Sequence, residues 1–238
     1  MILELDAGNS RVKWRLLAGD GKIARSGHGV GTSFQTIGIP EGCNRPTRVR
    51  VVSVRGPEFE ENLCDQSMLM WGVLPEFATS GLARSGVLNG YEIPASLGVD
   101  RWMAILAAYS DCRAACCIVD AGTAITLDVV AETGRHLGGY IVPGMSLQMR
   151  MLKESTSIRL SAKPSWSEIS LGASTNSAVQ NGIVSMVSDW ISCESAGRGE
   201  LYLTGGDAEF LSKLMAERNI KHKLDPDLVL NGLAHALP

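Results

Sequence analysis

The chain has 238 residues, 45% of them hydrophobic and 20% charged, with a formal net charge of −3. This length accommodates one large domain or two of about 100 to 130 residues. The charge balance gives no basis for a nucleic-acid surface, since Lys and Arg form no cluster, and no apolar run reaches the roughly 18 residues of a membrane span.

Six cysteines (Cys43, Cys64, Cys112, Cys116, Cys117, Cys193) include no C-x-x-C pair, and the four histidines (His28, His136, His222, His235) show no metal-binding spacing. Neither a disulfide framework nor a zinc site is expected. Strand-like Ile2–Leu5 runs directly into Asp6, so no signal peptide is expected, and the setting expected is a reducing cytoplasm.

Residues 2–6 and 12–17 read as a hairpin around Asp6-Ala7-Gly8-Asn9-Ser10. After the turn Gly19-Asp20-Gly21, residues 23–29 read as a third strand. Residues 48–54, rich in valine, read as another strand, ended by Gly56-Pro57. A helix is expected over 58–68, with Phe59 and Leu63 on one face, whereas 70–77 gives no clear pattern. The stretch 88–101 is dense in turn residues and runs into an apolar helix at Trp102–Asp111. Asp100 and Arg101 therefore stand at a helix N-terminus, where two readings compete. One is an N-cap aspartate beside a solvated arginine; the other is a dedicated role, because a cation there opposes the helix dipole.

An apolar run from Cys116 to Val119 delivers Asp120, followed by Ala121-Gly122-Thr123 and a returning strand at 127–130. A strand, a carboxylate, a glycine turn with hydroxyls and a returning strand form a hairpin suited to phosphate, with backbone N–H groups and hydroxyls holding phosphoryl oxygens. Asp6-Ala7-Gly8 and Asp120-Ala121-Gly122 repeat one device, which predicts an internal duplication and two similar domains serving one nucleotide. Residues 137–142 read as a strand ended by Pro143-Gly144. The following helix, to Leu152, carries Met145, Leu147, Met149 and Met151 on several faces, as in a core or at a subunit interface. A loop through Thr175 opens a helix to about residue 191 with Val179, Ile183, Val184 and Val187 on its apolar side. Strand 200–204 ends in Gly205-Gly206-Asp207, either a plain turn or a surface for a flat ligand; helices follow to Arg218 and over 227–237.

Taken together, Asp-x-Gly-x-Ser, Asp-x-Gly-Thr-x-x-Thr and the late Gly-Gly resemble the phosphate-1, phosphate-2 and adenosine motifs of the acetate and sugar kinase/heat-shock ATPase/actin superfamily. No Walker A motif is present. Asp6 to Ser10 with Lys13-Trp14, then Gly98-Val99-Asp100-Arg101, then Asp120 to Thr126, then Gly138 to Gly144 occur in order, and together resemble the type III pantothenate kinases across essentially the whole chain. The resemblance implies an α/β fold of two duplicated ribonuclease-H-like domains with mixed sheets and an interdomain nucleotide cleft, divided here as residues 1–112 and 113–238. Ser10 departs from the family's frequent threonine but keeps the hydroxyl.

The resemblance further implies ATP-dependent phosphorylation of pantothenate to 4'-phosphopantothenate, the first step of coenzyme A biosynthesis. Asp6, Ala7, Gly8, Asn9, Ser10, Arg11, Val12 and Lys13 would hold ATP phosphates, with Asp6 directed to Mg2+ and Thr123 contacting a phosphate. Asp120 would ligate a monovalent cation, K+ or NH4+. Asp100 would be the general base, with Tyr91, Gly98, Val99, Asp100, Arg101 and Thr175 around pantothenate, in a homodimer. Rival readings are a small-sugar kinase, disfavoured by the short second half, and a non-catalytic regulator, disfavoured by the presence of Asp100 and Asp120.

Overall fold

The computed structural model describes residues 1–36, 38–39, 45–160, 166 and 169–238; Cys43 lies outside the described residues. The chain divides into two units, residues 1–110 with 227–238 and residues 111–226. The sequence reading places a boundary between 112 and 113 and assigns the terminal helix to the second half.

In the first unit, β1 (Ile2–Ala7), β2 (Val12–Leu17) and β3 (Ile23–Gly29) form an antiparallel meander. Next come β4 (Arg48–Ser53), α1 (Pro57–Trp71) and β5 (Pro75–Phe77), with β4 parallel to β1 and β5 parallel to β4. A two-stranded hairpin, β6 (Ala83–Arg84) and β7 (Val87–Leu88), precedes a 3₁₀ turn at Pro94–Ser96 and α2 (Val99–Cys112). In the second unit, β8 (Cys116–Ala121), β9 (Ala124–Val130) and β10 (His136–Pro143) repeat the meander. Then follow α3 (Met145–Ser155), α4 (Thr175–Ser195), β11 (Glu200–Thr204), α5 (Ala208–Glu217) and β12 (His222–Leu224). Helix α6 (Leu228–Ala236) rejoins the first unit.

The strand orders are β3-β2-β1-β4-β5 and β10-β9-β8-β11-β12. Each sheet has three antiparallel strands and then two added in parallel, so the duplication expected from the two Asp-x-Gly turns holds for the whole topology. In each copy a helix spans the last parallel step, α1 from β4 to β5 and α5 from β11 to β12, as parallel neighbours require.

Strand alternation decides what each sheet face buries. In β1, Leu3, Leu5 and Ala7 join Val49 and Val51 of β4 and Phe59, Leu63 and Trp71 of α1 in one core. Helix α1 begins with Pro57, whose missing N–H costs nothing in the first turn, and stops at Gly72 in the left-handed region (φ 66°). In the second unit Cys117, Val119 and Ala121 of β8 face Met145 and Met149 of α3, Ile183, Val184 and Val187 of α4, and Leu211 and Met215 of α5. Helix α3 thus buries one face only: Met151 is half exposed. The described cysteines are free, and burial pushes the Cys117 thiol up to about 12.

The opposite face of the first sheet is polar and buried. Glu4 is the register partner of Arg15 on β2 and of Arg50 on β4. It is fully buried and contacts both guanidinium groups at 2.5 Å. Arg15 Nη1 also donates to Asn231 Oδ1 of α6 at 2.6 Å, and Arg50 Nη1 donates to the Leu237 carbonyl at 2.8 Å. Beside them Arg48 grips both carboxylate oxygens of Glu76 at 2.6 and 2.7 Å and donates to the Pro238 carbonyl. Helix α6 approaches α2 closely, since a Cβ at Gly232 would collide with the Met103 backbone. Glu4→Gln is expected to lower stability by about 3 kcal/mol, because it leaves two buried cations with only a neutral amide. Urea denaturation measures this; a loss under about 1 kcal/mol would show that the clamp does not hold the face together.

Candidate active site

The first glycine turn lies between Ala7 and Val12, the last register pair of β1 and β2, and comprises Gly8, Asn9, Ser10 and Arg11. Asn9, Ser10 and Arg11 are exposed, while Asp6 and Lys13 stand opposite each other on the flanking strands, half-buried. A Cβ at Gly8 would lie 3.3 Å from the Arg11 carbonyl oxygen, so the turn is narrow as well as open to solvent.

The second turn is one residue shorter. Ala121 pairs with Ile125, leaving Gly122, Thr123 and Ala124, and the Gly122 N–H donates to the Ala124 carbonyl at 3.0 Å. Asp120 is in register with Thr126 on β9 and Thr204 on β11, so hydroxyl side chains flank its carboxylate on both neighbouring strands. Two glycines press on this turn from elsewhere. The Gly144 N–H donates to the Thr123 carbonyl at 2.9 Å, and a Cβ at Gly144 would lie 2.6 Å from that oxygen. Gly205, at φ 97°, would drive a Cβ into Asp120 Oδ1 and to 2.6 Å from the Ala121 backbone. The Asp207 N–H then closes the contact by donating to the Ala121 carbonyl at 2.9 Å. Burial pushes the Asp207 carboxyl above its ordinary value, although Asp207 precedes α5 without capping it. The sequence reading saw Pro143-Gly144 as a strand end and Gly205-Gly206 as either a plain turn or a surface for a flat ligand; both support the second turn, and the shared signal was glycine directly after a strand.

A third group gathers around α2. The helix starts at Val99, earlier than the Trp102 expected from apolar spacing, because the Gly98 carbonyl already accepts the Trp102 N–H at 2.9 Å. Asp100 therefore lies inside the first turn rather than before it, and its Oδ1 accepts the Arg101 N–H at 2.8 Å. A Cβ at Gly98 would come within 2.9 Å of that same oxygen, so glycine leaves the carboxylate its place. Arg101 is not solvated: it is 6% exposed, and its Nη1 donates to the Tyr91 hydroxyl at 2.8 Å, with its guanidinium 5.6 Å from the ring centroid. Buried Asn89 pins the Tyr91 loop. Its Oδ1 accepts the Tyr91 N–H at 3.0 Å, and its Nδ2 donates to the Gly81 and Pro94 carbonyls at 3.1 Å. Asn89 was not among the candidates, although Asn89-Gly90 is a turn signal.

The first unit thus brings Tyr91, Gly98, Asp100 and Arg101 together and carries Asp6 to Lys13 on one hairpin; Val99 opens α2 half-buried. The second unit carries Asp120 and Thr123 on its own hairpin. Thr175 stands on another element of that unit, exposed in the first turn of α4 beside the reciprocal cap of Ser174 and Ser177.

Doubled mixed sheets with an Asp-x-Gly hairpin opening each one define the actin-like sugar-kinase fold. Solved structures share the architecture. A Campylobacter jejuni protein provisionally described as a Baf family transcriptional activator has a TM-score of 0.62, 22% identity, and coverage of 98% of this chain and 95% of that one. A Sinorhizobium meliloti protein provisionally described as a 2-dehydro-3-deoxygalactonokinase has a TM-score of 0.61, 11% identity, and coverage of 99% and 98%. These likenesses speak for the fold alone. The sequence goes further: the type III pantothenate kinase family model matches residues 2–193, and a type III pantothenate kinase of Pseudomonas aeruginosa is 37% identical over 250 residues, spanning 100% of this chain and 99% of the relative. The chain belongs to the type III pantothenate kinase family, and the readings as regulator or small-sugar kinase are not favoured.

Gly205→Ala is expected to lower the melting temperature clearly and to displace Asp120, because it combines a positive φ with a backbone collision. Gly206→Ala, where nothing lies within 4 Å of the added carbon, should change stability by no more than about 0.5 kcal/mol. Thermal melting of the two variants checks the contrast, and equal melting points would refute it.

Proposed function

We propose that this chain transfers the γ-phosphoryl group of ATP to the primary hydroxyl of pantothenate, with Asp100 as general base. What carries the reading is the Gly98–Asp100–Arg101–Tyr91 cluster on a chain of this family: a carboxylate given room by a glycine, beside a buried cation already hydrogen-bonded to a phenol. The pantothenate hydroxyl oxygen attacks the γ-phosphorus, the bond from that phosphorus to the β,γ-bridging oxygen breaks, and ADP leaves. The hydroxyl proton passes to Asp100. Phosphoryl transfer through a loose transition state needs positioning and charge neutralisation more than covalent help, which suits a site of one carboxylate and fixed cations. Arg101 and Tyr91, with Gly98, Val99 and Thr175, take the substrate's polar groups. Residues 6–13 take ATP phosphates, and Thr123 contacts a phosphate.

The donor sets fit the ions this chemistry uses. Asp6 at the strand end offers Mg2+ a carboxylate, and Asp120, in register with Thr126 and Thr204, offers K+ or NH4+ an all-oxygen environment. When bound, these ions neutralise phosphate charge where Lys13 is the lysine within the first hairpin. The free cysteines, two of them fully buried, suit a cytoplasmic setting. A second copy of the chain is the occupant read for an apolar groove of about 740 Å³ between α3 and α4, where Met151 and Met186 are 49% and 56% exposed.

The deciding assay is pantothenate-dependent ADP release, run in potassium and again in sodium. Asp100→Asn should lower kcat on the order of 10²-fold or more while leaving ATP affinity nearly constant. Sodium should cut the wild-type rate sharply. A variant that folds and keeps most of its kcat would leave Asp100 as a structural residue, and equal rates in both salts would dismiss the monovalent cation. Light scattering should give a dimeric mass that Met186→Glu shifts to monomer; a monomeric wild type would dismiss the α3–α4 groove as a self-association face.

A further inference from the structure

We infer that Arg55 binds the terminal phosphates of the nucleotide, as a second cation at the first glycine turn. The inference rests on the kinase reading above and adds to it a residue from outside the glycine-turn motif. Arg55 stands just past the end of β4, where the Val54 N–H still donates to the Ala7 carbonyl at 3.2 Å. At the same end of the sheet β3 closes with Gly29 in register with Val12, the first residue after the turn. Arg55 joins the two ends, since its Nη1 donates to the Gly31 carbonyl at 2.6 Å. In the order β3-β2-β1-β4, the strands lying between the joined ends are the pair that carries Gly8 to Arg11. The guanidinium therefore lies across the end of the first hairpin, at its turn.

The side from which it approaches is also defined. Its central carbon lies 4.4 Å from the Phe59 ring centroid, and Phe59 belongs to the core that holds Leu5 and Ala7. Alternation along β1 sends Asp6, and with it Lys13, to the opposite face of the sheet. The turn thus has a cation on each face. Among the described residues the Gly31 carbonyl is the acceptor this guanidinium uses and no carboxylate pairs with it, so Nε and Nη2 keep their donors. The side chain is half-buried and already held at two points, by a carbonyl and by an aromatic face. A guanidinium fixed in this way has lost most of its rotamer freedom beforehand and presents a planar fork that matches phosphate oxygens. Phosphoryl transfer depends on neutralising charge spread over the transferred group, a task for which Lys13 alone is a small supply.

The test compares AMP, ADP and the non-hydrolysable β,γ-imido analogue of ATP, each with Mg2+, by titration calorimetry on wild type, Arg55→Lys, Arg55→Gln and Arg55→Ala. Arg55→Ala is expected to bind the triphosphate analogue roughly tenfold more weakly or worse, the loss expected for a charge-assisted hydrogen bond, and to change AMP by less than about twofold. Arg55→Lys keeps the charge and should recover part of the triphosphate affinity. Arg55→Gln keeps an N–H donor for the Gly31 carbonyl without the charge and should recover none. The inference is overturned if Arg55→Ala leaves triphosphate affinity unchanged, or if it weakens AMP as much as the triphosphate, as a loosened strap alone would do. It is also overturned if Arg55→Gln restores binding as well as Arg55→Lys does. Should Arg55→Ala fail to fold, the Lys and Gln variants decide the question by the same comparison. Calorimetry requires no turnover, so failure of pantothenate to be phosphorylated would refute the substrate reading without deciding this one.

Discussion

A single buried carboxylate fixes the first half of the molecule. Glu4 sits in register with Arg15 on one side and Arg50 on the other, so the antiparallel and the parallel neighbour of β1 are both set by one residue. A slip of one position in β2 or β4 would turn its arginine onto the apolar face of Leu3 and Leu5 and leave Glu4 without that partner. Such a buried triad adds little net stability over a well-packed apolar one, because desolvation offsets most of the attraction. Its contribution here is register, and register is what brings Asp6 opposite Lys13 two residues further along the same face.

The two copies of the hairpin have diverged in residues and in turn length. Strand for strand, Glu4 corresponds to Ile118, Arg15 to Asp128, and Lys13 to Thr126. The first hairpin keeps a cation opposite its aspartate and a four-residue turn; the second has a hydroxyl opposite its aspartate and a three-residue turn. The first aspartate thus has a lysine as its register partner, whereas the second has a threonine on each neighbouring strand.

Much of this was legible in the sequence because the signals were redundant. Both hairpins carried alternating apolar strands, an aspartate and a glycine, and repetition turned two weak patterns into one strong one. The strands β5, β12 and the β6–β7 hairpin were missed because runs of two or three residues carry no periodicity. The early start of α2 was missed because Gly98 and Val99 are poor helix formers, and the tertiary setting of Arg101 outweighed their propensity. The support that Gly144 and Gly205 give to the Asp120 turn could not be read locally at all, since both arrive from distant positions in the chain. The same holds for α6, whose place is set by arginines near the other end of the sequence.

That last arrangement bears on how the chain is made. The second unit, residues 111–226, is continuous, so all its strands are available once its last residue has left the ribosome. The first unit is not: Arg50 waits for a carbonyl 187 positions later. At translation rates of about 5–20 residues per second, that wait is on the order of 10 to 40 s. During it, the polar face of the first sheet has no helix to cover it, and the groups it presents, Glu4 with Arg15 and Arg50, are charged rather than apolar.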